Sequence, residues 1–236
     1  MSRNVVLSSP VELILQSLAN IFELKSSFKE VVILSLYVSL FAAILSSIIS
    51  IYLTSYMAIK NFLGKDTITL IFNSLMSLPP VVVGLILYII FSSSGVLGFM
   101  DLLYSPNIMI IAQFIIITPI IVSLSLKSLS DRYILLKDYL TSLDTSEGKI
   151  RATLIFESRY DLLIIVITGL SRALSEVGAV IIVGGNIDNL TRIMTTSIVL
   201  ETSRGELSLA LSLGISLIFI AIIMNLLIIY IKNKLL

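Results

Sequence analysis

The sequence predicts an all-α integral membrane protein with about five transmembrane helices and an N-terminal amphipathic helix. Of its 236 residues, 57% are hydrophobic and only 13% are charged, whereas about a quarter of the residues in a soluble domain are charged. The mean hydropathy is +1.06, and the apolar residues fall in long blocks instead of periodic stripes. Because a helix of about 20 apolar residues crosses the hydrocarbon core of a bilayer, such blocks predict membrane spans.

Five blocks have the length of a span, and two of them contain proline. We predict the spans at residues 31–53, 68–91, 108–126, 162–183 and 207–231. Pro79 and Pro80 interrupt the second block, and Pro119 lies inside the third. Proline is tolerated in a spanning helix where neighbouring helices or polar side chains satisfy the freed carbonyl groups. We therefore expect bent helices that line an interior, and not a simple membrane anchor.

The segment at 10–24 precedes these spans and is too short to cross the membrane comfortably. Its apolar residues recur at helical spacing, while Glu12, Gln16 and Glu23 lie elsewhere on the helical wheel. This pattern is typical of a helix that lies in the membrane interface, and a sixth span is the alternative. No small-residue cleavage pattern follows, so we expect no signal peptide. We divide the chain into an N-terminal amphipathic segment, 1–29, and a transmembrane domain, 30–236.

The distribution of lysine and arginine predicts the orientation. With five spans, one side of the membrane receives ten of these residues and the other receives five. The more positive side is normally cytoplasmic. We therefore expect a multi-pass protein of the cell (cytoplasmic) membrane whose C-terminus and long polar loop, at 127–161, are cytoplasmic. That loop alternates charged and apolar positions, as a pair of short amphipathic helices does.

Composition also argues against several functions. The net charge is +1 and the chain contains neither cysteine nor histidine. Without cysteine we expect no disulfides, and with a charge of +1 we expect no nucleic-acid partner. Because histidine, the commonest metal ligand and general base, is missing, we also expect no metal and no cofactor in this chain. No phosphate-binding loop of the GxxxxGK[ST] type is present, so any ATP and Mg would bind to a partner chain. Glu176 alone is a thin basis for a membrane-embedded enzyme.

A charged pair inside the fourth predicted span is the most informative feature. Arg172 and Glu176 are four residues apart, so both lie on one face of a helix and can form an ion pair. Ionisable side chains at membrane depth are costly and normally face a bundle interior or a watery cavity. We interpret the pair, with Ser171 and Ser175 beside it, as part of a translocation pathway or of a moving helix junction. A structural pair that locks two helices, or a pair near the headgroups, is the alternative.

Two further regions are candidates for the same pathway. Pro79 and Pro80 remove two backbone donors and should kink the second span, although a packing kink is the alternative. After the fourth span, Thr195 and Thr196 supply hydroxyl groups near Arg192. These donors could contact an oxyanion at the outer mouth, and a solvated turn is the alternative for each of them.

Two stretches of the chain resemble the permeases of molybdate, sulfate and tungstate importers. Residues 78–85 (LPPVVVGL) and 91–98 (FSSSGVLG) resemble the second-span motif of that family. Residues 171–183 (SRALSEVGAVIIV) resemble the family's segment behind its cytoplasmic loop. The resemblance covers about 30–231 and implies the fold of a type I ABC importer permease.

The continuation of the chain looks like the tungstate branch, in the runs GGNI at 184–187 and TRIMTTSIVLET at 191–202. The resemblance implies a permease homodimer in the lipid membrane, two ATP-hydrolysing subunits below it, and an extracytoplasmic oxyanion-binding protein above it. Tungstate is the first choice of substrate, with molybdate and sulfate as alternatives. An ATP-independent secondary transporter also stays open, although neither inverted repeats nor midplane carboxylates are evident.

The family couples ATP hydrolysis to transport through a short helix marked by the pattern E-A-A-x3-G-x9-I-x-L-P. In this chain that register begins at Asp138, and Phe156 matches an apolar position while Glu157 replaces the proline. The resemblance assigns ATPase coupling to the following residues: Asp138, Tyr139, Leu140, Asp144, Thr145, Ser146 and Leu154.

Overall fold

The computed structural model describes residues 10–23, 26–142 and 145–233, and this part of the chain contains helices and turns but no β-strand. The predicted all-α class is confirmed. A short 3-10 turn lies at Gly98–Met100. The α-helices are α1 Pro10–Glu23, α2 Ser26–Ile59, α3 Lys65–Leu75, α4 Pro80–Phe91, α5 Pro106–Ser142, α6 Glu147–Glu157, α7 Arg159–Leu174, α8 Gly178–Gly184, α9 Met194–Arg204 and α10 Leu207–Asn233.

Three of these helices are individually long and apolar enough to cross a membrane, namely α2, α5 and α10. Two helix pairs pass the same test together but are sharply bent: α3 with α4, by 99°, and α7 with α8, by 57°. If each bent pair is one span, the described residues contain five, which is the number that the sequence predicts. The chain is a multi-pass membrane protein.

The second predicted span is broken, and not merely kinked as expected. Pro79 is extended, with φ −66° and ψ 119°, and Pro80 is the first residue of α4. Proline fits that position because its missing N–H would have no partner in the first turn of a helix. The two prolines therefore start a new helix at 99° to the old one. The fourth predicted span is also broken, at residues 175–177, so it is not one continuous helix.

The predicted loop at 127–161 is largely helical, which corrects the boundary of the third span. Helix α5 continues without interruption to Ser142, and only α6 is a separate short helix. No glycine or proline occurs between 120 and 142, so nothing in this stretch ends the helix. Pro119 lies inside α5 without ending it. Beside it, the Thr118 hydroxyl donates to the carbonyl of Phe114 at 2.6 Å.

Helices α2 and α5 form the centre of the bundle and pack along their length. Small buried residues on α2, including Ala42 and Ala43, lie in the same cluster as Ile117 of α5. Ser46 and Thr118 join the two helices through their hydroxyl groups at 2.9 Å. Small residues and polar contacts of this kind hold helices together in lipid, where hydrophobic burial offers little advantage.

Helix α1 packs against α10 at the edge of the bundle. The Ser212 hydroxyl of α10 donates to the carbonyl of Ser17 at 3.1 Å, while Ile14 and Leu15 of α1 are exposed. Its 14 residues give a length of about 21 Å at 1.5 Å per residue, less than the ~30 Å hydrocarbon core. Helix α2 begins at Ser26, slightly before the predicted domain boundary at 29/30.

The two ends of the bundle differ in composition. At one end, called here the lysine-rich end, lie residues 60–65, the second half of α5, α6, the start of α7 and the end of α10. Lys60 pairs with Glu147 at 3.1 Å there, and Arg132 lies 3.7 Å from Asp161. At the opposite end lie the turns 92–105 and 185–193.

Candidate functional site

The predicted ion pair forms, but it spans the break between α7 and α8. Arg172 Nη1 lies 2.8 Å from Glu176 Oε2. Helix α7 ends at Leu174 and α8 begins at Gly178, so Glu176 lies beyond the helix that carries Arg172. The expectation that both residues lie along one continuous helix face is therefore corrected. The ion pair instead joins the end of one half of the broken span to the start of the other.

Glu176 is the hub of this junction. Its side chain is 3% exposed, while that of Arg172 is 36% exposed. Glu176 Oε1 accepts a hydrogen bond from the N–H of Ala179, in the first turn of α8, at 3.2 Å. A carboxylate at this position satisfies a free N–H and is favoured by the helix dipole. The Glu176 carbonyl also accepts a hydrogen bond from the Thr195 hydroxyl, at 2.8 Å, so Glu176 connects α7, α8 and α9.

The start of α4 meets the start of α8 next to Glu176. A Cβ placed on Gly84 would lie 2.8 Å from the Cα of Ala179, and one placed on Gly178 would lie 2.7 Å from Val81 Cγ2. These distances are shorter than van der Waals contact. At Gly84 the obstacle is backbone, so only glycine fits there, whereas a larger residue at Gly178 would have to displace the Val81 side chain. Glycine lets helices approach closely in lipid. The second halves of the two broken spans therefore pack directly on each other.

Other predicted pathway residues bond to their own segments. The Ser171 hydroxyl donates to the carbonyl of Ile167 at 2.9 Å, and the Ser175 hydroxyl donates to that of Arg172 at 3.0 Å. The Thr196 hydroxyl accepts from the N–H of Ile193 at 3.1 Å, which caps the first turn of α9.

The threonine hydroxyls at the predicted outer mouth are buried, because Thr195 and Thr196 are 3% and 0% exposed. Arg192 is paired with Asp188 at 2.8 Å. Pro79 and Pro80 lie at the start of α4, in the half of the bent pair that packs on α8. The structure thus brings the prolines, the ion pair and Thr195 into one region, while Thr196 has a local capping role.

Gln113, which is fully buried in α5, was not predicted as a site residue from the sequence. Its Nε2 donates to the carbonyl of Ala173 at 3.0 Å, in the last turn of α7, where carbonyl groups lack partners within the helix. Its Oε1 has no partner in the part of the chain that the structure describes. A signal was available, since Gln113 is the one polar residue in the apolar run 108–117.

The predicted ATPase-coupling residues divide into an inward and an outward group. Leu140 and Leu154 are buried, and with Ile150 they belong to the core that joins α5 and α6. A hydrogen bond to the Glu147 carboxylate raises the pKa of Lys60 above its ordinary value of 10.5. Helix α6 is thus fixed to the ends of α2 and α5.

The outward group consists of Asp138 and Tyr139 on α5 and Ser146 before α6, all exposed. The Thr145 hydroxyl donates to the Leu140 carbonyl at 3.4 Å. Asp144 lies outside the described residues. Three large apolar side chains are also exposed on α5 and α6 at this end, and the sequence did not single them out as exposed: Ile134, Leu135 and Phe156.

A cavity of about 470 Å³ separates α3 from α5 at the lysine-rich end, and its wall combines polar residues with Met76, Leu124 and Leu126. On α3, polar residues recur three or four positions apart and share one face of the helix, and the facing turns of α5 are polar as well. Leu70 and Ile71 of α3 are exposed on other sides of that helix. The polar residues that line this cavity are Lys65, Asp66, Thr69, Asn73, Ser123, Lys127, Ser130 and Asp131.

Comparisons with known proteins identify relatives along most of the chain, although no family model matches it. The tungstate uptake system permease protein TupB of Peptoclostridium acidaminophilum is 39% identical over 195 residues, which cover 83% of this chain and 86% of the relative. A TupB of Campylobacter jejuni is 39% identical over 164 residues, 68% of this chain and 67% of the relative. A probable anion ABC transporter permease protein of Haloferax volcanii is 34% identical over 196 residues, 81% of this chain and 84% of the relative. These identities extend over most of both chains, and the all-helical fold is consistent with a membrane permease. The chain therefore belongs to the family of ABC transporter permease subunits that includes these uptake proteins.

Proposed function

We propose that this permease carries tungstate across the membrane in an ATP-driven importer. Two relatives bear the name of tungstate uptake permeases, and the runs at 184–187 and 191–202 resemble that branch. The observation that supports translocation most directly is the Arg172–Glu176 pair at the break of a membrane span. Broken helices at membrane depth are tolerated only where they are buried in protein or line a cavity.

Arg172 is the residue that we propose contacts the anion. Its guanidinium has five N–H donors and, among the described residues, gives one to Glu176. It is 36% exposed, so it can offer the remaining donors to a passing oxyanion while Glu176 stays buried. Ser175 lies next to it on the exposed side of the junction. Tetrahedral oxyanions are bound by such charge-assisted hydrogen bonds.

The pair itself would provide the two states that alternating access needs. In one state Arg172 is held by Glu176, and in the other it binds the anion. Since Glu176 also caps α8 and holds Thr195 of α9, loss of the ion pair would loosen the junction of three helices. A movement of α7 then changes the packing of α8 on α4, where Pro79 and Pro80 begin the helix.

We place the lysine-rich end in the cytoplasm, because of its excess of positive charge. The cavity between α3 and α5 would then be the cytoplasmic part of the pathway. Its lining of charged and hydroxyl side chains suits a hydrated anion, and the neighbouring exposed Leu70 and Ile71 suit lipid or the second permease of a homodimer.

ATPase coupling, in this proposal, occurs on the outward face of α5 and α6. Tyr139 and Phe156 expose most of their surface and lie outside the spans, where exposed aromatic side chains suit contact with a protein partner. Asp138, Ser146 and Thr145 would surround the contact, while Leu140 and Leu154 transmit force from within. Two partner ATPases would bind ATP and Mg, no cofactor would bind to this chain, and an extracytoplasmic oxyanion-binding protein would deliver the substrate.

Reconstitution with the partner subunits tests this proposal. Proteoliposomes that contain permease, ATPase and binding protein should accumulate tungstate when ATP is present on the ATPase side. A catalytically inactive ATPase is the control and should abolish uptake. Uptake that continues without hydrolysis would instead support a secondary transporter.

Competition with molybdate and sulfate in the same assay decides the substrate. Molybdate is the strongest alternative, because it has nearly the size and charge of tungstate, and one relative is named only for an unspecified anion. A preference for molybdate or sulfate would replace tungstate and leave the coupling mechanism intact.

A further inference from the structure

The described residues contain a second cavity at the lysine-rich end, which shares Leu124, Lys127 and Asp131 with the cavity between α3 and α5. It measures about 670 Å³ and lies between α5, α7 and the end of α10. Its wall is divided. Leu124, Ile164 and Ile165 make one part apolar, while Lys127 and Lys232 make another part basic.

The charges on the wall leave a surplus of one positive charge. Arg132 and Asp161 line the cavity and compensate each other at 3.7 Å. Lys127 and Lys232 also line it, and neither forms an ion pair within the described ranges 10–23, 26–142 and 145–233. The remaining carboxylate on the wall is Asp131. Three cations therefore face two carboxylates, which suits a ligand with one negative charge.

The level of the cavity points to lipid. Lys127 is 21 residues beyond Pro106, the first residue of α5, about 30 Å along the helix at 1.5 Å per residue. This is the thickness of the hydrocarbon core, so the basic part of the cavity lies where α5 leaves the membrane. Lys232 lies in the last turn of α10. The apolar residues of the wall lie on the membrane side of this level. Leu124 precedes Lys127 along α5, and Ile164 and Ile165 follow Asp161 along α7.

A serine also lies on this wall, next to Lys127. Ser128 Oγ is shielded from solvent and has no hydrogen-bond partner in the part of the chain that the structure describes. Ser128 lines this cavity one residue after Lys127. A buried hydroxyl without a partner is costly, and a rotation of the Ser128 side chain toward the cavity would let a phosphate oxygen accept its hydrogen bond.

We propose that this cavity binds the headgroup of an anionic phospholipid, with the phosphodiester on Lys127, Lys232 and Ser128 and the acyl chains along the apolar wall. Basic pockets between membrane helices are suited to lipid phosphates. The site ties α10 to α5 and α7 through a lipid, and it does not depend on which anion the permease transports.

Lys232→Gln gives the cleanest test, because Lys232 lines only this cavity, whereas Lys127 also lines the one between α3 and α5. The full-length permease is purified in detergent and titrated with phosphatidylglycerol or phosphatidylcholine, and bound lipid is counted by native mass spectrometry. Each lysine at such a site should contribute about fivefold in affinity. Phosphatidylglycerol binding should therefore fall about fivefold in Lys232→Gln and further in the double variant with Lys127→Gln.

Lys149→Gln is the matched control, since Lys149 is an exposed lysine of α6 at the same end and should leave lipid binding unchanged. Circular dichroism checks that the variants remain helical, and Lys232→Gln alone changes only the last turn of α10. Equal binding of the two lipids, no effect of Lys232→Gln, or an equal effect of Lys149→Gln would overturn the proposal. Displacement of the lipid by equimolar tungstate or inorganic phosphate would also overturn it, since the site would then serve a soluble oxyanion.

Discussion

Replacing Glu176 tests whether one carboxylate holds the broken span together. The carboxylate has two contacts, one to Arg172 at 2.8 Å and one to the N–H of Ala179 at 3.2 Å. Glu176→Gln removes the charge but keeps an oxygen that can accept from Ala179. Glu176→Ala removes both contacts. The two variants therefore separate the ion pair from the helix cap.

The expected costs follow from the two contacts. A hydrogen bond to a charged group contributes about 1.5–3 kcal/mol, and the partial exposure of Arg172 reduces this value through solvent screening. We expect Glu176→Gln to lower the free energy of unfolding by about 1 kcal/mol. Loss of a helix cap costs about 1 kcal/mol more, so Glu176→Ala should cost about 2 kcal/mol or more.

Unfolding by titration with a denaturing detergent measures these differences in the purified permease. Glu201→Gln is the matched control, since Glu201 is also buried but pairs with the exposed Arg204 only at 3.4 Å, and it should change stability by less than about 0.5 kcal/mol. In proteoliposomes, Glu176→Gln should reduce ATP-dependent uptake more than its stability loss explains. Equal costs for the Gln and Ala variants would show that Glu176 does not cap α8, and unchanged stability and uptake in both would refute the proposed junction.

Three further variants test the packing of α4 on α8 and the attachment of α6. Gly84→Ala should lower the free energy of unfolding by about 1–3 kcal/mol, because the new methyl group overlaps α8. The control is Gly214→Ala in α10, whose methyl group meets nothing within 4 Å and should be neutral or stabilise the protein by up to about 1 kcal/mol. Equal unfolding curves for the two variants would contradict the close contact between α4 and α8. Leu154→Ala removes a fully buried side chain and should lower the free energy of unfolding by about 2–5 kcal/mol. Limited proteolysis should then cleave the chain faster around α6. Unchanged cleavage would mean that Leu154 does not hold α6 in place. Lys60→Met should speed hydrogen exchange in α6. Because a hydrogen bond to Glu147 raises the pKa of Lys60 above 10.5, this difference should persist from neutral pH up to 10.5 and disappear as the pH rises through the raised pKa. A difference that disappears near neutral pH would contradict the ion pair.

Sequence alone determined the features that depend on composition and local spacing. Long apolar blocks predict five spans because burial of apolar surface in lipid needs only length and hydropathy. The Arg172–Glu176 pair was also predictable, because four residues separate the partners and an unpaired charge at membrane depth is costly. The motifs around 78–98 and 171–202 indicated the permease family, which the relatives confirm.

The structure was needed wherever a helix ends or meets another helix. Proline at 79–80 predicts a disturbance, but whether the helix bends or stops depends on neighbouring helices that the local sequence does not name. The absence of glycine and proline between 120 and 142 lets α5 continue through the predicted loop, but only the structure shows that α5 packs against α2 and α6. Likewise, Leu154 fits a coupling pattern, yet its side chain points into the core.

The junction at Glu176 shows the division between sequence and tertiary structure most clearly. Its charge, its spacing from Arg172 and its depth in an apolar block are written in the sequence. Only tertiary structure decided the partners of Glu176. Its side chain caps α8, its carbonyl accepts a hydrogen bond from the Thr195 hydroxyl, and it lies beside the close contact of Gly84 with Ala179. The reason is physical: the partners of a buried polar group are set by which helices pack around it, and those helices lie far apart in the chain.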